Sequence, residues 1–157
     1  MPETTPPTPT LRSKTLATWL ALLGGPMGVH RFYLYGLNDV WGWLHPLPTL
    51  IGAWGLRRVA EFGQDDKLAW LLIPILGFMV AGTMLQAIVY GLMPDERWHA
   101  RHNAGLDTRA ARPSGWGAVL GVIAALLVGA TVLMSTIAFS GQRYFEYQVE
   151  AARQISQ

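Results

Sequence analysis

The chain has 157 residues, 51% of them hydrophobic and 14% charged, with twelve Lys and Arg against ten Asp and Glu. That charged share is well below the roughly 25% of a soluble domain, so the composition is that of a membrane-embedded chain, and four long apolar stretches leave little room for a separate globular unit. The small excess of Arg at the borders of those stretches suits anionic lipid headgroups rather than nucleic acid, and the absence of cysteine removes disulfides, thiolate metal sites and thiol nucleophiles.

Residues 1–11 begin with four Pro and four Thr in ten positions and are expected to form a disordered, solvated tail without the basic start or cleavage site of a secretory signal. Thr15 to Val29 is the first apolar segment, short for a full crossing unless Leu11 and the aromatics beyond it are included. Gly24 and Gly28, four apart, offer a smooth patch for a partner helix. Gly28 to Gly36 reads as a short loop between membrane helices. A lone Arg is costly in hydrocarbon, so Arg31 belongs at a headgroup layer, where His30, Phe32, Tyr33 and Tyr35 share the interface. Leu34 to Leu56 is the second segment; Asn38, Asp39, His45, Pro46 and Pro48 interrupt it, and a kink is predicted near Pro46. Residues 12–59 are thus expected to be a helical hairpin, followed by an aqueous loop at 60–67 within the charged run Arg57 to Lys67.

Leu68 to Met93 is the most secure crossing, with Trp70 and Tyr90 suited to opposite interfaces. Residues 94–115 form a basic interfacial loop leading into the fourth segment, Trp116 to Ser140, and 68–141 make the second hairpin. Gly117, Gly121, Ala125 and Gly129 recur at a strict spacing of four, the strongest packing signal in the chain. The partner of that stripe is either the third segment or the same helix of a second copy. Residues 142–157, with Phe145, Val149 and Ala152 at helical spacing, are expected to be an amphipathic helix or a frayed tail.

Arg12-Ser13-Lys14, the Gly24-Gly25-Pro26-Met27-Gly28 helix end, the run His30-Arg31-Phe32-Tyr33-Leu34-Tyr35-Gly36 and a second helix bearing Trp54 resemble the TM-two (two-transmembrane-helix) domain family. The resemblance extends over about Arg12 to Val59 and implies an integral membrane protein, without implying a biochemical activity. Members of that family often carry an Asp three residues after the second-helix Trp, where this chain has Arg57.

Three polar constellations stand out. Arg31 among His30, Phe32, Tyr33, Tyr35 and Gly36 is read either as an interface anchor or as a site for a lipid phosphate or a partner carboxylate. Asp39 and His45 are ionisable groups in an apolar segment, but six residues apart they face different sides of an unbroken helix. Glu96, His99 and His102 recur every three residues, a set too small for a metal site, and no metal or other cofactor is expected. No phosphate loop, nucleophile elbow or His-Glu-x-x-His pair is present, so no catalytic residue is assigned. The expected protein is all-α and multi-pass, with about four transmembrane helices in two hairpins, placed in the plasma (inner) membrane if bacterial. Its expected role is that of a non-enzymatic scaffold or partner-binding protein contacting anionic headgroups, with a membrane-protein partner or a second copy of itself. The alternative is a small channel or transporter, with a lipid-acting enzyme as a lesser reading. Counting Arg12, Lys14, Arg57, Arg58, Lys67, Arg143 and Arg153 on one side against Arg31, Arg97, Arg101, Arg109 and Arg112 places both termini in the cytoplasm.

Overall fold

The computed structural model describes residues 10–109, 111 and 113–156. Residues 1–9, where nearly all of the Pro/Thr-rich tail falls, lie outside the described residues, as do Ala110, Arg112 and Gln157. Among the described residues the chain is all-helical, with no strand. Its helices are α1 (Lys14–Gly24), α2 (Val29–Tyr35), α3 (Val40–Leu44), α4 (Pro46–Phe62), α5 (Lys67–Leu92), α6 (Asp95–His102) and α7 (Trp116–Ile155). Two of them, α5 and α7, are long and apolar enough to cross a membrane.

Helix α1 starts on an N-cap, the Ser13 hydroxyl accepting from Leu16 N–H at 3.3 Å. It begins beside the C-terminal end of α5, where Lys14 Nζ donates to the Met93 carbonyl at 2.8 Å and pairs with Asp95 at 2.7 Å. It ends part-way along α5, since a Cβ added to Gly25 would lie 2.6 Å from Thr83 Cβ. With 11 residues it rises about 17 Å, against about 30 Å of hydrocarbon. The chain then reverses. Pro26 lacks the N–H that would extend the helix, and Gly28 takes φ +76°, a left-handed conformation that other residues adopt only with strain. Helix α2 runs back the way α1 came, setting His30 against Tyr90 and Tyr35 against His102, with ring centroids 5.9 and 6.0 Å apart.

From Val40 to Phe62 the chain crosses the bundle in two helical pieces, about 34 Å of helix in all at 1.5 Å per residue. The helix is interrupted at His45, immediately before Pro46, where the predicted kink falls. Gly52 and Gly55 let this stretch approach α5, because side chains there would run into Leu76 and Leu72. Helices α5 and α7 are antiparallel: Gly91 faces Val122, Met84 faces Gly129, and Gly77 faces Thr136. The buried core of Ala17, Ala21, Leu34, Met84, Ala87, Tyr90, Trp98 and Ala125 surrounds the α1–α2 hairpin.

Several boundaries differ from the sequence reading. The segment expected as a loop at Gly28 to Gly36 is mostly the helix α2, because its aromatic side chains find packing partners. The loop expected at 60–67 shrinks to Gly63–Asp66, since Arg57 and Glu61 pair across one helical turn at 2.9 Å and α4 continues through the charges. The segment 142–157 is not a separate tail, because α7 continues unbroken to Ile155. The first hairpin, expected to pair a short first segment with a longer kinked one, is a short reversing pair, α1 and α2, whose second helix is followed by α3–α4.

Candidate functional site

Hydrogen bonds and rings converge where the α1–α2 hairpin meets α6. The backbone of Arg12 is clamped there: its N–H donates to Asn103 Oδ1 at 2.8 Å, and its carbonyl accepts from Trp98 Nε1 at 2.8 Å and Asn103 Nδ2 at 3.1 Å. Asp95 binds Lys14 and also accepts from Ser114 N–H at 3.0 Å. The Lys14 ammonium, with the Ser114 amide, pulls the Asp95 carboxyl down to about 2. Tyr33 accepts a hydrogen bond from Ser13 N–H at 2.7 Å. The basic start of the first segment is thus tied to the motif that follows it.

Each residue of the aromatic-basic motif has a distinct place. His30 is fully buried, and among the described residues neither ring nitrogen has a hydrogen-bond partner. Arg31 does not reach outward: Nε and Nη2 grip the two Asp39 carboxylate oxygens at 2.6 and 3.1 Å, and the guanidinium lies over the Tyr35 ring at 5.0 Å. Asp39 also caps α3, accepting from Gly42 N–H at 2.9 Å. Phe32 packs on Trp43, at 5.0 Å between centroids, and Gly42 has no side chain because Phe32 occupies that space. Gly36, at φ +85°, ends α2 and donates its N–H to the Phe32 carbonyl at 2.9 Å. A carboxylate does meet Arg31, therefore, but it belongs to the same chain.

This turn occurs twice. Twenty-seven positions later, Arg58, Phe62, Gly63, Asp66 and Trp70 repeat the spacing of Arg31, Tyr35, Gly36, Asp39 and Trp43. Arg58 grips Asp66 at 2.6 and 3.0 Å and lies over Phe62 at 4.8 Å, while Gly63 takes φ +86° and donates to the Val59 carbonyl at 2.9 Å. Trp43 and Trp70 each donate Nε1 at 2.8 Å to the carbonyl of the residue after the glycine, Leu37 and Gln64. In both clasps the guanidinium holds the carboxyl below its ordinary range. Sequence reasoning passed over the second copy. The spacing Arg-x3-aromatic-Gly-x2-Asp-x3-Trp carries the signal, because in both turns the Arg grips the Asp and lies over the aromatic ring, the Gly closes the preceding helix and the Trp tethers the turn.

The glycine pairs divide. Gly24 and Gly28 do not offer a helix face to a partner, because the chain reverses between them: a Cβ on Gly24 would press on Val29, and one on Gly28 would run into the Gly42 carbonyl. The later stripe does lie on one face. Gly117 meets Thr15, Gly121 meets Thr18 and Trp19, Gly129 meets Met84, and Ala125 is fully buried. Of the acidic and imidazole set on α6, His99 Nδ1 bonds Asn103 at 2.9 Å, and His102 stacks on Trp98 at 4.3 Å, where burial lowers its basicity. Among the described residues no three His, Asp or Glu side chains are placed to hold a metal. Asp39 and His45 are separately engaged, Asp39 with Arg31 and His45 through Nδ1–H donating to the Trp41 carbonyl at 2.6 Å.

No family model matches the chain, and no curated protein or solved structure matches it.

Proposed function

We propose that the chain is a non-enzymatic, multi-pass membrane protein with three crossings and one re-entrant hairpin, acting as a scaffold that holds the hairpin within the bilayer. The crossings are α3–α4, α5 and α7; α1 and α2 enter and leave by the same face. The observation that carries this reading is the reversal of α1 at the level of Thr83, about 13 Å short of Leu92 along α5. Irregular backbone at membrane depth is tolerated where protein covers it, and the turn between α1 and α2 is so covered. Two further features support it. The windows that make α5 and α7 apolar are only 22% and 17% buried, so these helices show their apolar sides outward, unlike the core helices of a soluble protein. The two Arg–Asp clasps cap α3–α4 at its two ends, separated by about the thickness of the hydrocarbon layer, each with a tethered Trp suited to an interface.

On this reading the TM-two-like stretch, Arg12 to Val59, contains the re-entrant hairpin and most of one crossing. Exposed Arg97, Arg101 and Arg109 around α6 meet anionic headgroups at the face where the hairpin enters, in the plasma (inner) membrane if the source is bacterial. A second reading, a small channel or transporter, is favoured by one observation: Thr83 lies at the hairpin tip, and His45 and Gln86 stand beside His30. Proteoliposome ion flux distinguishes it from the scaffold.

The topology is tested with single cysteines in the otherwise cysteine-free chain. In sealed vesicles, an impermeant maleimide is expected to label Thr10→Cys and Asp107→Cys from one side and Gln64→Cys from the other. Labelling of Thr10→Cys from the Gln64 side would restore the four-crossing arrangement.

A further inference from the structure

The imidazole of His30 is fully buried without a partner for either nitrogen, and the carboxamide oxygen of Gln86 beside it is also unpaired. Native interiors rarely leave such groups without a role. A neutral ring has one N–H, which Gln86 Oε1 is able to accept, and one lone pair, which has no hydrogen-bond partner among the described residues.

The charged and titratable groups around the ring offer a proton there no free counter-charge. On its own helix, Arg31 is a like charge. Across the turn, Asp39 commits both oxygens to Arg31 and the Gly42 amide, and His45, 5.4 Å away between centroids, commits Nδ1–H to Trp41. On α5, Tyr90 presents a neutral ring; on α1, Lys14 is held by Met93 and Asp95. A cation at His30 would therefore be desolvated, beside another cation, with no carboxylate free to meet it.

We propose that His30 is a proton-binding site built into the re-entrant hairpin, vacant while α2 is packed against α5 and filled when α2 swings toward water on the α6 face. Helix α2 is flanked by Gly28 and Gly36, both at positive φ, which are suited to act as its hinges. The proton comes from the aqueous phase and leaves on repacking, with no other bond made or broken. The sign follows from linkage: the open form binds the proton and the packed form does not, so acid favours opening. With an ordinary imidazole value of about 6.5 in the open form, lowering the pH from 7.5 to 5.0 multiplies the open-to-packed ratio by about thirty.

The inference rests on the re-entrant reading, and its test separates the two. The full chain is reconstituted in sealed vesicles carrying either Leu34→Cys, buried on α2 one turn from His30, or Ala118→Cys, buried near the start of α7 as a control at the same end of the bundle. Impermeant maleimide is added from either side at pH 7.5 and 5.0, and the ratio of the two rates removes the pH dependence of thiol chemistry. The expected result is an approximately thirtyfold rise in the Leu34-to-Ala118 ratio at pH 5.0, from the side that labels Asp107→Cys, and a flat ratio in the His30→Gln background. His30→Asn serves as the second background if His30→Gln does not fold. A ratio unchanged by pH, or one that rises equally without His30, overturns the proton site. Acid-enhanced labelling from the Gln64 side overturns the re-entrant reading instead.

Discussion

A single guanidinium illustrates how this chain places charge beside its apolar helices. Arg31 has only 19% of its side-chain surface exposed and meets Asp39, itself 12% exposed, through a two-pronged grip that a Lys cannot reproduce. Arg109 is exposed and has no comparable carboxylate grip. Arg31→Ala is therefore expected to lower the thermal midpoint of the purified protein by several degrees, with Arg31→Lys in between and Arg109→Ala unchanged. Because the second clasp repeats the first, Arg58→Ala should behave like Arg31→Ala; equal midpoints for the Arg31, Arg58 and Arg109 variants would remove the structural role assigned to the clasps. The pH dependence separates the clasps from His30. A carboxyl held below its usual range contributes stability above about pH 4 and loses it as the pH falls through the lowered value, so neither clasp carboxyl takes up a proton between pH 7.5 and 5.0. A transition in that interval belongs to an imidazole.

Among the elements, the hairpin and α7 make opposite use of glycine. In the hairpin, Gly25 and Gly28 permit a reversal against Thr83 and Gly42; in α7, Gly117, Gly121 and Gly129 allow α1 and α5 to press against a straight helix. A side chain at Gly121 would start 2.8 Å from Thr18 Cγ2, so Gly121→Leu is expected to destabilise the folded monomer by about 1–3 kcal/mol through overpacking. Ala130→Leu, on the exposed face of the same helix, should be neutral. Thermal unfolding and limited proteolysis measure both. An intact Gly121→Leu monomer that has lost only a dimer band would transfer the stripe to an interface between copies. The spacing of four was legible in the sequence because it repeats along one straight helix. Gly24 and Gly28 carried the same signature with a different meaning, since hydropathy along a window cannot tell one long helix from two short antiparallel ones. The Arg31–Asp39 and Arg58–Asp66 clasps escaped for a related reason: each joins residues on either side of a turn, and the partnership appears only when the two copies are aligned or the chain is folded.

For the molecule as a whole, the proposed three crossings, in place of four, would put the N-terminal charges on the other side of the membrane. By sequence position, Arg12, Lys14, Arg31, Arg97, Arg101, Arg109 and, outside the described residues, Arg112 would then belong to one side, against Arg57, Arg58, Lys67, Arg143 and Arg153 on the other. The count remains seven to five, but Arg12 and Lys14 now stand with the basic α6 segment instead of opposing it. The positive-inside rule acts through such short flanking segments, so on this proposal the α6 face is expected in the cytoplasm and the C-terminal end of α7 on the far side. There α7 overruns its neighbour: Arg143 lies over Trp70 in the first turn of α5, at 4.8 Å, and the helix continues to Ile155, about 18 Å farther. In intact cells expressing single-cysteine chains, impermeant maleimide is expected to label Gln154→Cys at the exposed end of that extension and to leave Asp107→Cys unlabelled until the membrane is permeabilised. Labelling of Asp107→Cys alone would invert the orientation while preserving three crossings, because in the proposed topology the hairpin sets which segments share a face, and the basic residues decide only which face is inside.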